Sequence, residues 1–206
     1  MTNFIDFNDL SAGTVVDNEF RAEGVTISAA GGANVAMVFD TDNPTGGDYD
    51  LATSNLGNVL IISEDGDSSD PDDNGSGGTF FVNFDSETSV ESLTLLDVEE
   101  RAWIRFFDAD GNLIDQVDAQ TSNNGQVVVN FDVEGVVRME VVLAGSGAID
   151  NLVFTSAPDL DGFVEGTDGN DLIDAGFLGD PEGDRIDNND EILPGEGPQD
   201  LSLIHI

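Results

Sequence analysis

The chain has 206 residues, with 43 acids against five bases, and its formal charge is −38. That balance excludes nucleic acid as a partner, because phosphates need a basic face. It argues against anionic membranes, favours cations and keeps the protein soluble at high salt. Hydrophobic residues make up 39%, enough for one core plus an appendage. With no cysteine, disulfides and thiolate metal sites are absent, and a small extracellular domain then needs another staple, of which calcium is one. No window is long and apolar enough for membrane insertion. The N-terminus MTNFIDFNDL has neither the basic nor the apolar region of a secretory signal, so the protein is cytosolic or its export signal lies elsewhere.

In chain order, short apolar runs predict strands at FIDF (4–7), GVTIS (24–28), VAMVF (35–39), NVLIIS (58–63), TFFVNF (79–84), SLTLL (92–96), AWIRFF (102–107), NLIDQV (112–117), QVVVNF (126–131), VRMEVVL (137–143) and AIDNLVF (148–154). Turn residues separate them and no helix-length period occurs, so the expected fold class is all-β, an antiparallel jelly-roll β-sandwich. The turn DADGN (108–112) closes a hairpin. It also has the look of an EF-type calcium loop, but strands flank it and no glutamate follows at the distant ligand position.

Two long polar loops interrupt the strands, DTDNPTGGDYD (40–50) and EDGDSSDPDDNGSGG (64–78). Loops of that length in a compact domain are functional or disordered. The expected organisation is a sandwich over residues 1–156, a linker over 157–164, an acidic Gly/Asp-rich calcium-binding segment over 165–200, and an abruptly apolar LSLIHI at 201–206. That last stretch looks like a translated sequencing adapter, which implies a natural protein that continues past Asp200.

In the acidic segment, GTDGNDLID (166–174) resembles the calcium-binding nonapeptide of RTX proteins. Gly166, Gly169, Asp171 and Ile173 fill the repeat's positions, and Thr167 replaces its second glycine. Glycines admit positive φ and turn carbonyls inward, aspartate adds an anionic oxygen, and Ca²⁺ takes six to eight hard oxygens. Such repeats build a parallel β-roll. A second repeat is hinted at by GDPEGDRID (179–187), in which Gly183, Asp184 and Ile186 keep part of the rhythm. Asp168, Asp171, Asp174, Asp184 and Asp187 are the expected metal ligands of this tract; an acidic disordered linker is the other reading.

The opening FIDFNDLSAGTVV and the closing GSGAIDNLVF are similar to galactose-binding-like jelly rolls, among them carbohydrate-binding modules, over residues 3–155. The resemblance implies a structural Ca²⁺ between the first and last strands. Carried onto this chain, its ligands are Asp150 and Asp9, with Asn8 or Asp6 as helpers. Independently, Asp150 lies inside an apolar run, where an uncompensated carboxylate costs several kcal/mol; it otherwise points to solvent on the alternate face.

A sugar site needs an aromatic platform with polar groups. In RAWIRFFD, a period of two puts Ala102, Ile104 and Phe106 on one face and Arg101, Trp103, Arg105 and Phe107 on the other. Trp103 could stack a sugar ring while Arg101 and Arg105 donate hydrogen bonds; alternatively the arginines pair with acids and cover it. Tyr49 in the first acidic loop is a second platform, although Asp40, Asp42, Asp48 and Asp50 around it could equally be calcium ligands. With no cysteine, and no histidine outside LSLIHI, the chain lacks the groups of nucleophilic catalysis. No carboxylate pair stands out for glycoside hydrolysis, so it is not expected to be an enzyme. The expected function is an extracellular calcium-binding module of an RTX-type bacterial protein exported by a type I system. The alternative is a carbohydrate-binding module with structural calcium and a polysaccharide or cell-surface glycan as partner. A halophilic surface piece, its acids serving solubility, is a further rival.

Overall fold

The computed structural model describes residues 2–156, 163–166, 172, 177–179 and 201–203. The chain divides into two compact units, Met1–Ala157 and Pro158–Ile206. In the second, Phe163–Glu165 (β10) pairs in parallel with Leu201–Leu203 (β11).

The first unit is an antiparallel β-sandwich. Its strands are Thr2–Ile5 (β1), Val25–Ala30 (β2), Ala36–Asp40 (β3), Asn58–Ile62 (β4), Gly78–Leu96 (β5), Ala102–Phe107 (β6), Leu113–Ala119 (β7), Gln126–Leu143 (β8) and Ala148–Ser156 (β9). The described residues contain two 3-10 turns, Arg21–Glu23 and Tyr49–Leu51, and no α-helix. None of their helices is long and apolar enough to cross a membrane.

The main departure from the expected elements is continuity. TFFVNF and SLTLL are two ends of one 19-residue strand, and QVVVNF and VRMEVVL are two ends of one of 18. No proline breaks either connecting stretch, and register shifts between Asn83 and Ser92 let the ladder bend without ending. The first half of β5 pairs with β2 and the second half with β9, while β8 follows along its whole length. One layer is therefore β2-β5-β8-β6-β7, and the other carries β3-β4-β9-β5-β8 with β1 on β9.

Between the layers, Ile27, Phe80, Val82, Ile104, Phe106, Met139 and Val141 meet Val38, Leu60, Leu93, Leu95, Ile149 and Phe154 in one apolar core. A smaller core of Met37, Phe39, Val59 and Ile61 lies on the opposite face of β3 and β4, under Leu51 and Leu56. Those two leucines anchor the segment between β3 and β4 that includes the first acidic loop. The second acidic loop packs closely against Gly13. Gly13 has φ +81°, and a Cβ there would run into the Ser68 carbonyl. Gly13→Ala should therefore lower stability by about 1–3 kcal/mol, read as a lower urea midpoint with unchanged slope.

The DADGN turn closes the β6–β7 hairpin. Both Asp108 oxygens accept from Asn112, at 2.7 Å from its N–H and 3.0 Å from its side-chain amide. These bonds hold the Asp108 pKa below its usual value.

Candidate functional site

Three buried carboxylates and one open sheet face stand out. Asp150 is 1% exposed. It lies where one edge of β9 changes partner, from β4 at Ile149 to β1 at Leu152. The next residue, Asn151, has φ +51°, and this bulge returns Leu152 and Phe154 to the core. Asp150 Oδ2 accepts from the Asn151 amide at 2.9 Å, and Oδ1 has no hydrogen-bond partner among the described residues. Desolvation pushes the Asp150 pKa up to about 8, the Asn151 backbone N–H opposes the shift, and the like charge of Asp6 adds to it.

Asp6 is thus the acid the fold brings to Asp150. β1 ends at Ile5, and Phe7 turns the chain with φ +56°. Asn8 is then committed elsewhere, its Oδ1 accepting from the Asn58 N–H at 2.9 Å, and Asp9 is exposed. Among the described residues no three acids are gathered at the spacing of a ready-made metal site.

The two acidic loops pack on each other. Thr45 donates to the Pro71 carbonyl at 2.7 Å, and the Gly46 N–H donates to Asp70 at 2.9 Å. Asp73, 7% exposed, donates its backbone N–H to Asp48 at 2.8 Å. Its own Oδ2 accepts from the Gly147 N–H at 2.6 Å. Desolvation raises the Asp73 pKa to about 7, against the Gly147 hydrogen bond and with Asp48, Asp50 and Asp97 adding like charge. Asp97 is 1% exposed; its Oδ1 accepts from the Asn124 N–H and its Oδ2 has no partner among the described residues. Desolvation raises it to about 6. The sequence reading did not single out Asp73 or Asp97, although Asp97 closes the apolar run SLTLL as Asp150 interrupts AIDNLVF. Tyr49, between Asp48 and Asp50, is 74% exposed.

The open face belongs to the layer β2-β5-β8-β6-β7. The alternation in β6 is as expected: Ala102, Ile104 and Phe106 are fully buried, and Trp103, Arg105 and Phe107 are half-buried on the other side. Register lines up three cross-strand rows. Thr79, Val142, Trp103 and Asp118 form the first, Phe81, Glu140, Arg105 and Gln116 the second, and Asn83, Arg138 and Phe107 the third. Three half-buried aromatics thus share a face with three of the chain's five bases, counting Arg101. Arg101 pairs with Asp118 at 3.5 Å, Arg105 donates to Gln116 at 3.2 Å, and Arg138 lies 4.3 Å over the Phe107 ring. A shallow pocket of about 200 Å³ opens beside Trp103's cross-strand neighbour, lined by Arg101, Asp118, Ala119 and Gln120.

The tract residues Asp168, Asp171, Asp174, Asp184 and Asp187 lie outside the described residues.

No family model and no curated protein matches the chain. Solved structures do. A mutant of the family 29 carbohydrate-binding module CBM29-2 is 13% identical, with 75% of this chain and 91% of that one covered, at a TM-score of 0.41. The family 32 module of Clostridium perfringens NanJ, in complex with galactose, is 13% identical over 75% and 100% of the two chains, at 0.38. A Streptococcus pneumoniae fucose-binding module is 14% identical over 41% and 67%, at 0.31.

Proposed function

We propose that the sandwich is a non-catalytic carbohydrate-binding module acting outside the cell, with calcium as a structural ion. This is the alternative reading of the sequence, and the face on β6 and β7 favours it. The observation that carries it is Trp103, half-buried between Arg101 and Arg105 on a sheet face, opposite Asp118, which with Arg101 also lines a shallow pocket. An indole set in a sheet gives a sugar ring a flat apolar surface. Arginine, glutamine and carboxylate groups around it supply donors and acceptors for hydroxyls, the composition a sugar site needs. The similar structures are of carbohydrate-binding modules, but the reading rests on this face.

The proposed structural ion lies at Asp150 and Asp6. A carboxylate oxygen that is buried and unpartnered beside a second acid fits a hard divalent cation, which offsets both desolvation and like charge. Carbonyls and water complete calcium's oxygen shell.

The test is a titration of the calcium-loaded chain with neutral and uronic-acid oligosaccharides, following fluorescence of its single tryptophan. A saturable change with at least one glycan class is expected. A flat response to every class, with the protein folded, overturns the reading.

A further inference from the structure

We propose that the two acidic loops carry a second cation site, distinct from Asp150, in which a divalent ion sits between Asp48 and Asp73 with Asp97 and Asp50 beside them. Three observations converge on it. Asp48 and Asp73 are joined at the backbone, the Asp73 N–H donating to Asp48 Oδ2 at 2.8 Å. Asp97, 1% exposed, is a like-charged neighbour of Asp73 and leaves Oδ2 buried without a partner among the described residues. Asp72, next in the chain, has its Oδ1 in the same condition and answers to the charge of Asp48.

Among the described residues, no base pairs with these acids. The charged groups acting on Asp48, Asp73 and Asp97 are Asp48, Asp50, Glu64, Asp73, Asp97, Glu99 and Glu100, every one an acid. The ion pairs among the described residues, Arg101–Asp118 and Arg138–Glu140, use none of these acids.

Five separate segments meet here, since Asp73 also holds the Gly147 N–H and Asp97 holds the Asn124 N–H. A cation at this point fastens residues 48–50, 73, 97 and, through those hydrogen bonds, the turns at 124 and 147. The donors are all hard oxygens, and with no three acids gathered in advance the shell needs carbonyls and water. That suits calcium, which accepts irregular shells, better than magnesium, which demands an octahedron.

Tyr49 supplies the assay, because it is the chain's only tyrosine and it adjoins Asp48 and Asp50. The full chain is titrated with Tb³⁺, and luminescence sensitised by tyrosine is recorded. The expected result is saturable emission that Ca²⁺ displaces and Mg²⁺ displaces poorly. Tyr49→Phe should remove most of the emission, and Asp48→Asn and Asp73→Asn should each weaken Tb³⁺ binding at least tenfold. Asp150→Asn should leave this signal in place, which separates the two sites. Asparagine at 73 keeps an acceptor for Gly147; if that variant fails to fold, Asp48→Asn, at a half-buried position, decides alone. Emission that survives Tyr49→Phe, or Tb³⁺ affinity unchanged in Asp48→Asn, overturns the proposal.

Discussion

Asp150→Asn will raise the thermal midpoint of the chain in EDTA at pH 8 and will shrink the gain that calcium gives the wild type. The folded pKa of Asp150 is raised from 3.8 to about 8. Stability from such a group is complete below its unfolded pKa and is lost as pH rises through the folded one. Asp73, at about 7, and Asp97, at about 6, act in the same direction. Without calcium, wild-type stability should therefore fall between about pH 4 and pH 8. At roughly 1.4 kcal/mol per pKa unit, the charged Asp150 costs on the order of several kcal/mol. Asparagine removes that charge and can still accept from the Asn151 amide, although its own amide is left without an acceptor, which returns about 1–3 kcal/mol. The net expectation at pH 8 is a rise of several degrees in EDTA. In calcium the order reverses, since only the wild type presents a carboxylate to the ion; the gain left to the variant is the part that Asp48→Asn removes. An Asp150→Asn protein whose calcium gain equals the wild type's would refute the Asp6–Asp150 site, whatever its midpoint in EDTA.

Trp103→Ala will weaken glycan binding by about thirtyfold or more, the loss of roughly 2 kcal/mol typical of a central aromatic anchor. Trp103→Phe should recover part of it, because a smaller ring still stacks. Trp103 lies outside the core between the layers, so the alanine variant should keep its fold and its calcium response. Arg105→Ala should cost less, since Arg105 is half-buried and its bond to Gln116 leaves other donors for a sugar. An alanine variant with wild-type glycan affinity, measured by calorimetry on folded protein, places the binding surface elsewhere.

The layered β architecture was legible because its signals are local. AWIRFF alternates with period two and folds with that period, and DADGN carries its own turn chemistry. Asp150 was legible for the same reason, as one carboxylate inside an apolar run. The continuity of β5 and β8 was not, since DSETSVE and DVEG read as turns when their pairing partners are unknown. The choice of Asp6 over Asp9 beside Asp150 depends on the backbone turn at Phe7, which three adjoining residues do not reveal. Asp73 was the least visible. Its burial arises from Asp48 and Gly147, 25 and 74 positions away, and nothing near it in sequence differs from its exposed acidic neighbours.

β5 and β8 run unbroken from one layer into the other, paired along their lengths. The two layers therefore have no seam at which one could peel from the other. A pull applied at Trp103 passes from β6 into β8, from β8 into β5, and from β5 into β9, where Asp150 sits. For a module tethered at one end and holding a polymer at the other, that ladder is a load path, and the sandwich should give way in one all-or-none event rather than layer by layer.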